Sequence, residues 1–285
     1  MKLIIGLITV TASIIVGYLM AHGKLAVLFQ PAEFVIIGGA AIGAFVVANP
    51  GHVIKRVIGG IPLLLKGSPY NKDAYMELLA LMYELFTRAR KEGLMALEPH
   101  VEDPESSDLF AKYPAVHNNH QVRDFIADYL RMIVGGNMNA FEMENLMDVE
   151  LEAHEKEATK PGAAVTTMGD GLPGFGIVAA VLGVIITMGY IDAGAEELGN
   201  HIGAALVGTF LGILLAYGFV GPIGHALTEQ AEEEGQFLQC AKMCILSTLN
   251  GYGPQIAVEF GRKAIAHTHR PGFVELEDHL RGEGG

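Results

Sequence analysis

Long apolar runs separated by charged stretches dominate the chain. From Leu3 to Met20 no ionisable side chain interrupts the run. A second run extends from Phe34 to Ala48, where Asn49-Pro50-Gly51 breaks it. A third begins after Pro173 and continues to Tyr190, and a fourth extends from Ile202 to Val220, where Gly221-Pro222 is expected to stop it. A bilayer crossing takes about 20 apolar residues, so each run reads as a transmembrane helix. The first exceeds the apolar part of a secretory signal, and no small-residue cleavage site follows, which marks a retained helix. Neither the third nor the fourth run contains Asp, Glu, Lys, Arg or His.

Flanking charge sets the expected orientation. Lys55, Arg56 and Lys66 trail the second run, and Lys156 and Lys160 precede the third. The two short links, 22–31 and 192–201, offer only Lys24. By the positive-inside rule the middle of the chain and both termini face the cytoplasm, and the short links face the periplasm of an inner-membrane protein. The expected parts are 1–50 (helices one and two), 51–170 (a cytoplasmic domain), 171–222 (helices three and four) and 223–285 (a cytoplasmic helical segment).

The polar middle carries its own periodicity. Leu78, Leu81, Met82, Leu85 and Phe86 recur at helical spacing between Tyr75 and Glu92, and Phe125, Ile126, Tyr129, Leu130 and Ile133 repeat the pattern. A third amphipathic helix is expected from Asn139 to Lys156, with Asn139 as cap and Glu142 three residues on. The stretch 98–120 reads as partly loop. The tail from Ala226 to Ala266 is helical in pattern, split at Asn250-Gly251-Tyr252-Gly253-Pro254. No strand-like alternation stands out, so the fold class is all-α: a polytopic membrane protein with four transmembrane helices and a helical cytoplasmic domain.

Composition sharpens this picture. The 285 residues are 51% hydrophobic and carry a formal charge of −13, which fits long neutral stretches joined to acidic ones and argues against nucleic acid as a partner. Cys240 and Cys244 share a helix face as two small core residues, and no disulfide framework is implied.

Several motifs have competing readings. Gly39 and Gly43 in the second run, and Ala204, Gly208 and Gly212 in the fourth, give small-residue faces that allow close backbone approach, within one subunit or between subunits. Pro173 and Pro222 read from spacing alone as helix punctuation. The hydroxyls of Thr187, Thr209 and Tyr217 bond their own backbone or line a wet path. Proton relays use Asp, Glu or His, so helices three and four cannot carry one alone; in a proton device another chain supplies the carboxylate. Gly169 to Gly174 spells G-x-G-x-x-G but follows no strand, which excludes a dinucleotide site. His117 with His120, and His267 with His269, lack a completing ligand and read as surface histidines, so neither metal nor cofactor is expected. Arg88, Arg90, Lys91, Glu92 and Glu98 form a mixed-charge patch that spacing alone leaves as a solvated face.

These positions carry a resemblance. The stretches from Gly169 to Val181 and from Val207 to Phe219, together with Leu249-Asn250-Gly251-Tyr252 and Ala257 to Lys263, resemble the third helix, fourth helix and tail of the MotA-type stator subunits of bacterial flagellar motors. The likeness spans nearly the whole chain. It implies a homopentamer around two copies of a single-span, peptidoglycan-anchored MotB, whose membrane aspartate takes up the proton. The cytoplasmic domain then pushes the rotor switch protein FliG. Residue by residue, it implies that Pro173 and Pro222 couple protonation to movement, and that Thr209, with Tyr217 on the same helix, lies on the ion path. Arg90 and Glu98 would engage the rotor. Ala180 stands where sodium-driven relatives carry threonine, which favours protons. The expected function is ion-driven torque and not an enzymatic reaction. The alternatives are an energiser of outer-membrane processes resembling ExbB and TolQ, whose members have three spans where four are expected here, or a membrane scaffold without ion flow.

Overall fold

A computed structural model describes residues 2–136, 138–192 and 194–282, with the side chain of Glu196 outside the description. The helices in chain order are α1 (Lys2–Met20), α2 (Leu25–Leu28), α3 (Pro31–Ala48), α4 (Gly51–Lys66) and α5 (Lys72–Glu92). A 3₁₀ turn (Leu94–Leu97) leads to the short helices α6 (Glu98–Glu102), α7 (Asp108–Ala111) and α8 (Pro114–His117). Then come α9 (His120–Gly135), α10 (Ala140–Ala158), α11 (Lys160–Met188), α12 (Ala195–Leu214), a π-helical stretch (Leu215–Val220), α13 (Gly221–Leu249), α14 (Pro254–Ala264) and α15 (Phe273–Gly282). No strand occurs among the described residues. Four helical stretches are long and apolar enough to cross a membrane: Lys2–Met20, Leu25–Ala48, Ala140–Met188 and Glu197–Leu249. The chain is a multi-pass membrane protein.

Residues divide into two compact units, Met1–Gly67 with Ala158–Gln230, and Ser68–Glu157 with Ala231–Gly285. In the first, Ile37 and Ala41 of α3 meet Leu172 and Ala179 of α11 and Val207 and Leu211 of α12. Val57 and Leu64 of α4 pack with Val165 and Leu227 in a smaller cluster. Helix α1 buries none of its residues, and large apolar side chains such as Ile5, Val47, Ile177 and Leu206 stay exposed. In water such a surface would be untenable; it suits lipid or neighbouring membrane chains.

The second unit has a conventional core. Leu78, Leu81, Met82, Leu85 and Phe86 of α5 are all buried, with Phe125, Ile126, Tyr129 and Leu130 of α9 and with Phe237, Cys240, Cys244 and Ile245 of α13. Asn71 and Asn119 cap α5 and α9 through their side-chain oxygens, which accept from Ala74 and Val122. At the start of α10 the backbone N–H of Asn139 donates to Glu142 at 3.1 Å, and that of Glu142 donates to Asn139 Oδ1 at 2.9 Å, forming the expected reciprocal cap.

Three helix boundaries differ from the sequence reading. Helix α11 starts at Lys160, so Pro173 lies inside it and does not open it. The fourth membrane helix begins at Ala195, well before Ile202, and Gly221-Pro222 does not stop it: the chain passes through the π turn into α13. Proline removes one backbone donor and crowds the carbonyl a turn earlier, but in a membrane helix packed against a neighbour this distorts the helix without ending it.

Candidate functional site

The membrane unit is built on a glycine seam. Gly162, Gly169, Gly176 and Gly183 recur every seven residues along α11, each facing the helix that runs from α12 into α13. A β-carbon at Gly176 would lie 2.9 Å from the Gly208 carbonyl oxygen, and one at Gly212 would lie 2.7 Å from the Leu172 carbonyl oxygen. At Gly183 it would meet Ala205 at 2.7 Å, and at Gly162 the Thr228 backbone nitrogen at 2.7 Å. Backbone atoms stand within 3 Å at each of these positions, joined at Gly183 by the fixed β-carbon of Ala205 and at Gly162 by the Thr228 hydroxyl, so no rotamer change alone relieves the clash. Packing of this kind replaces the hydrophobic drive that lipid does not supply. The other small pair, Gly39 and Gly43 of α3, has nothing within 4 Å of an added β-carbon, so that face is left open by this chain.

Both prolines adjoin the seam, Pro173 half-buried and Pro222 exposed. Pro173 cannot donate to the carbonyl of Gly169, four residues earlier, and Gly169 packs against Gly221 (3.3 Å from its would-be β-carbon to the Gly221 nitrogen), the residue before Pro222. The broken turn of α11 therefore faces the π-helical turn that precedes Pro222. π turns are rare and mark places where a helix ladder is interrupted. Tyr217 lies in that turn and is exposed, while Thr209 and Ala180 are half-buried. The Thr209 backbone lies 3.4 Å from a β-carbon built on Gly176. Thr187 donates to the Gly183 carbonyl at 2.7 Å, the self-bonding arrangement.

Sequence reasoning missed one residue here. Glu33, in the first turn of α3, is 7% exposed and heads the stripe Glu33-Ile37-Ala41 that packs onto α11 and α12. Its Oε2 finds no hydrogen-bond donor. A β-carbon at Gly208 would lie 2.6 Å from that oxygen and 3.2 Å from the Ala180 nitrogen. A carboxylate adjoining an apolar run is the signal that marks it, but at the edge of that run an acid also reads as an interfacial charge.

In the second unit Arg90 and Glu98 are both exposed, and neither forms an ion pair among the described residues. Arg90 lines a cleft of about 380 Å³ with Tyr83, Thr87, Lys91, Pro254 and Ile256. A β-carbon at Gly253 would strike Arg90 Nη1 at 2.5 Å, and Gly251 holds φ +85°, a left-handed value that glycine adopts freely. The loop 250–254 thus shapes the floor on which Arg90 rests.

Glu98 opens α6, whose His100 is buried. Arg88 can only donate, so His100 Nε2 accepts from it, and Nδ1 carries the proton that faces Ser107 Oγ at 2.8 Å. Burial first, then the Arg88 charge, holds the His100 imidazole below its ordinary value, and Asp108 pulls the other way.

Comparison with known proteins decides the family. The chain is 50% identical to motility protein A of Salmonella typhimurium over 281 residues, 99% of this chain and 95% of the relative. The chain belongs to the motility protein A family. Profiles described as motility protein A N-terminal and as the MotA/TolQ/ExbB proton channel family match residues 4–93 and 117–239. Chemotaxis protein LafT of Vibrio parahaemolyticus is 37% identical over the full length of both chains. Among solved structures, the flagellar MotAB stator complex from Bacillus subtilis matches with a TM-score of 0.72 and 28% identity, covering 98% of each chain. The C. jejuni MotAB structure shares the fold, with a TM-score of 0.78 over 93% of this chain and 96% of that chain. This motility protein A family member carries the glycine seam, both interrupted turns and the Arg90 cleft in one continuous chain.

Proposed function

We propose that this chain is a stator subunit of a bacterial flagellar motor, which joins a MotB-like partner to conduct protons and turn their flow into torque. The observation that carries it is full-length likeness to motility protein A in a chain whose α11 and α12 hold no ionisable side chain from Gly171 to Met188 and from Ile202 to Leu214. Relays need a titratable group, so the partner brings a membrane carboxylate to these helices. The family match supports the stator reading over the ExbB-like and scaffold alternatives.

Five copies would surround the partner in the inner membrane, with lipid against the outer apolar faces and both termini cytoplasmic. Pro173 and Pro222 would be the yielding turns through which a change of charge moves helices, with Thr209, Ala180 and Tyr217 on the ion's way. Alanine at position 180 favours protons over sodium. Arg90 and Glu98 would meet oppositely charged groups of the rotor protein FliG. The work is transport and mechanics, with no covalent step.

The test is complementation of a non-motile strain lacking its own motility protein A, with the chain co-expressed with its MotB-like partner. Swimming should return, persist without sodium and collapse on adding a protonophore. Charge reversal at Arg90 or Glu98 should abolish it, and reversal of the matching rotor charge should restore it. Restored uptake of iron complexes without swimming would overturn the reading in favour of the ExbB-like one.

A further inference from the structure

One buried acid has no place in the function so far. Glu33 is more than nine-tenths buried, its Oε2 has no donor, and it lies inside the apolar stretch Leu25–Ala48. Its stripe directs it between α11 and α12. The room for it exists because residue 208 is glycine: a β-carbon there would sit 2.6 Å from Oε2. Gly208 precedes Thr209 in sequence and its missing β-carbon adjoins the Ala180 nitrogen, so the acid lies at the glycine that neighbours the two positions that the stator reading puts on the ion path.

A carboxylate in that setting needs a proton, a water or a cation, and intramembrane acids of this kind mark ion routes. The remaining surroundings are bare. Helix α11 has no ionisable residue from Gly171 to Met188, and α12 has none from Ile202 to Leu214. His201, two turns before Gly208 on α12, is stacked on Tyr190 at 4.2 Å between ring centres. Lys24 precedes α2, and α3 itself carries no other charge.

We propose that Glu33 is a proton-loading site on this chain, receiving protons from the periplasmic link 22–31 and passing them toward the partner's carboxylate. In the step, a carboxylate oxygen of Glu33 accepts a proton from a hydronium ion at that end, which leaves as water, and Glu33 becomes a neutral acid. Its O–H then gives the proton to a water, the hydronium so formed protonates the partner's carboxylate and is water again, and Glu33 returns to the anion. The proposal rests on the stator reading and adds a titratable group on this chain to it.

The experiment measures torque per stator unit, from stepwise speed changes of a bead-loaded motor, across a range of external pH. The full complex with its partner is expressed in cells. Steps from the unsubstituted chain secure the stator reading whatever Glu33 does. Glu33→Gln keeps shape and loses the titration; torque per unit should fall at least about tenfold, as when proton transfer loses a positioned group. Only assembled units give steps, so poor assembly does not mimic this result. Should Glu33→Gln give no steps at all, Glu33→Asp carries the test: it keeps the acid but withdraws it from Gly208, and the external-pH midpoint of torque should move. Glu33→Gln units with unchanged torque at every pH, or Glu33→Asp units with an unmoved midpoint, would overturn the proposal. So would torque that follows external sodium in place of pH.

Discussion

The two compact units are held together by opposite means. In the membrane unit, helices meet where side chains are missing: glycines of α11 lie against backbone of α12 and α13, and large apolar residues point outward. In the other unit, large residues point inward, and Tyr75, Phe110, Tyr129 and Phe237 are almost fully buried. The difference follows the solvent. Water rewards the burial of apolar area, whereas lipid tails are as apolar as leucine, so only close contact and shape remain to hold helices together. It follows that the same kind of substitution should have opposite consequences in the two units.

The largest expected effect is at the seam. Gly212→Val places atoms within 2.9 Å of the Gly176 α-carbon and against the Leu172 carbonyl, and should cost about 3 kcal/mol or more and prevent assembly. Recovery of the detergent-extracted complex by gel filtration checks this. Gly39→Ala, with open space around it, should leave recovery unchanged; a loss there would show that α3 packs against another subunit.

Truncation reverses the ranking. Leu78→Ala, in the water-facing unit's core, should destabilise by about 3 kcal/mol, read as a lower thermal midpoint of the purified complex. Ile177→Ala, exposed on α11, should change it by less than about 0.5 kcal/mol. Equal losses would mean that Ile177 is covered by a partner chain.

At the interrupted turns, function should separate from stability. Pro173→Leu gives the Gly169 carbonyl a donor, so the complex should be recovered in normal amount while swimming is lost. Unchanged motor speed would remove Pro173 from the coupling.

The smallest effect concerns pH. Because the fold holds His100 below its ordinary value of 6.5, the unfolded chain takes up this proton first as pH falls, and stability is lost progressively below that value. His100→Gln should flatten the fall in thermal midpoint between neutral and mildly acidic pH. An unaltered slope would show that Arg88 and Ser107 do not keep this imidazole neutral.

Much of this was legible in the chain itself. The four crossings, the amphipathic α5 and α9, and the cap at Asn139 depend on periodicity and on neighbours a few residues away, which the order of residues states directly. The heptad of glycines on α11 was equally visible, but its meaning was not, since glycine is as much a loop signal as a packing one. Tertiary structure alone decided that Pro173 and Pro222 lie within continuous helical stretches, because a neighbouring helix packs against each interrupted turn. It alone separated Gly208 and Gly212, pressed into the seam, from Gly39 and Gly43, which face open space. It placed the loop at Gly253 beneath Arg90, more than 160 positions away in sequence. And it buried Glu33: an acid beside an apolar run reads as an interfacial charge until the helices that enclose it, from the far half of the chain, are in place.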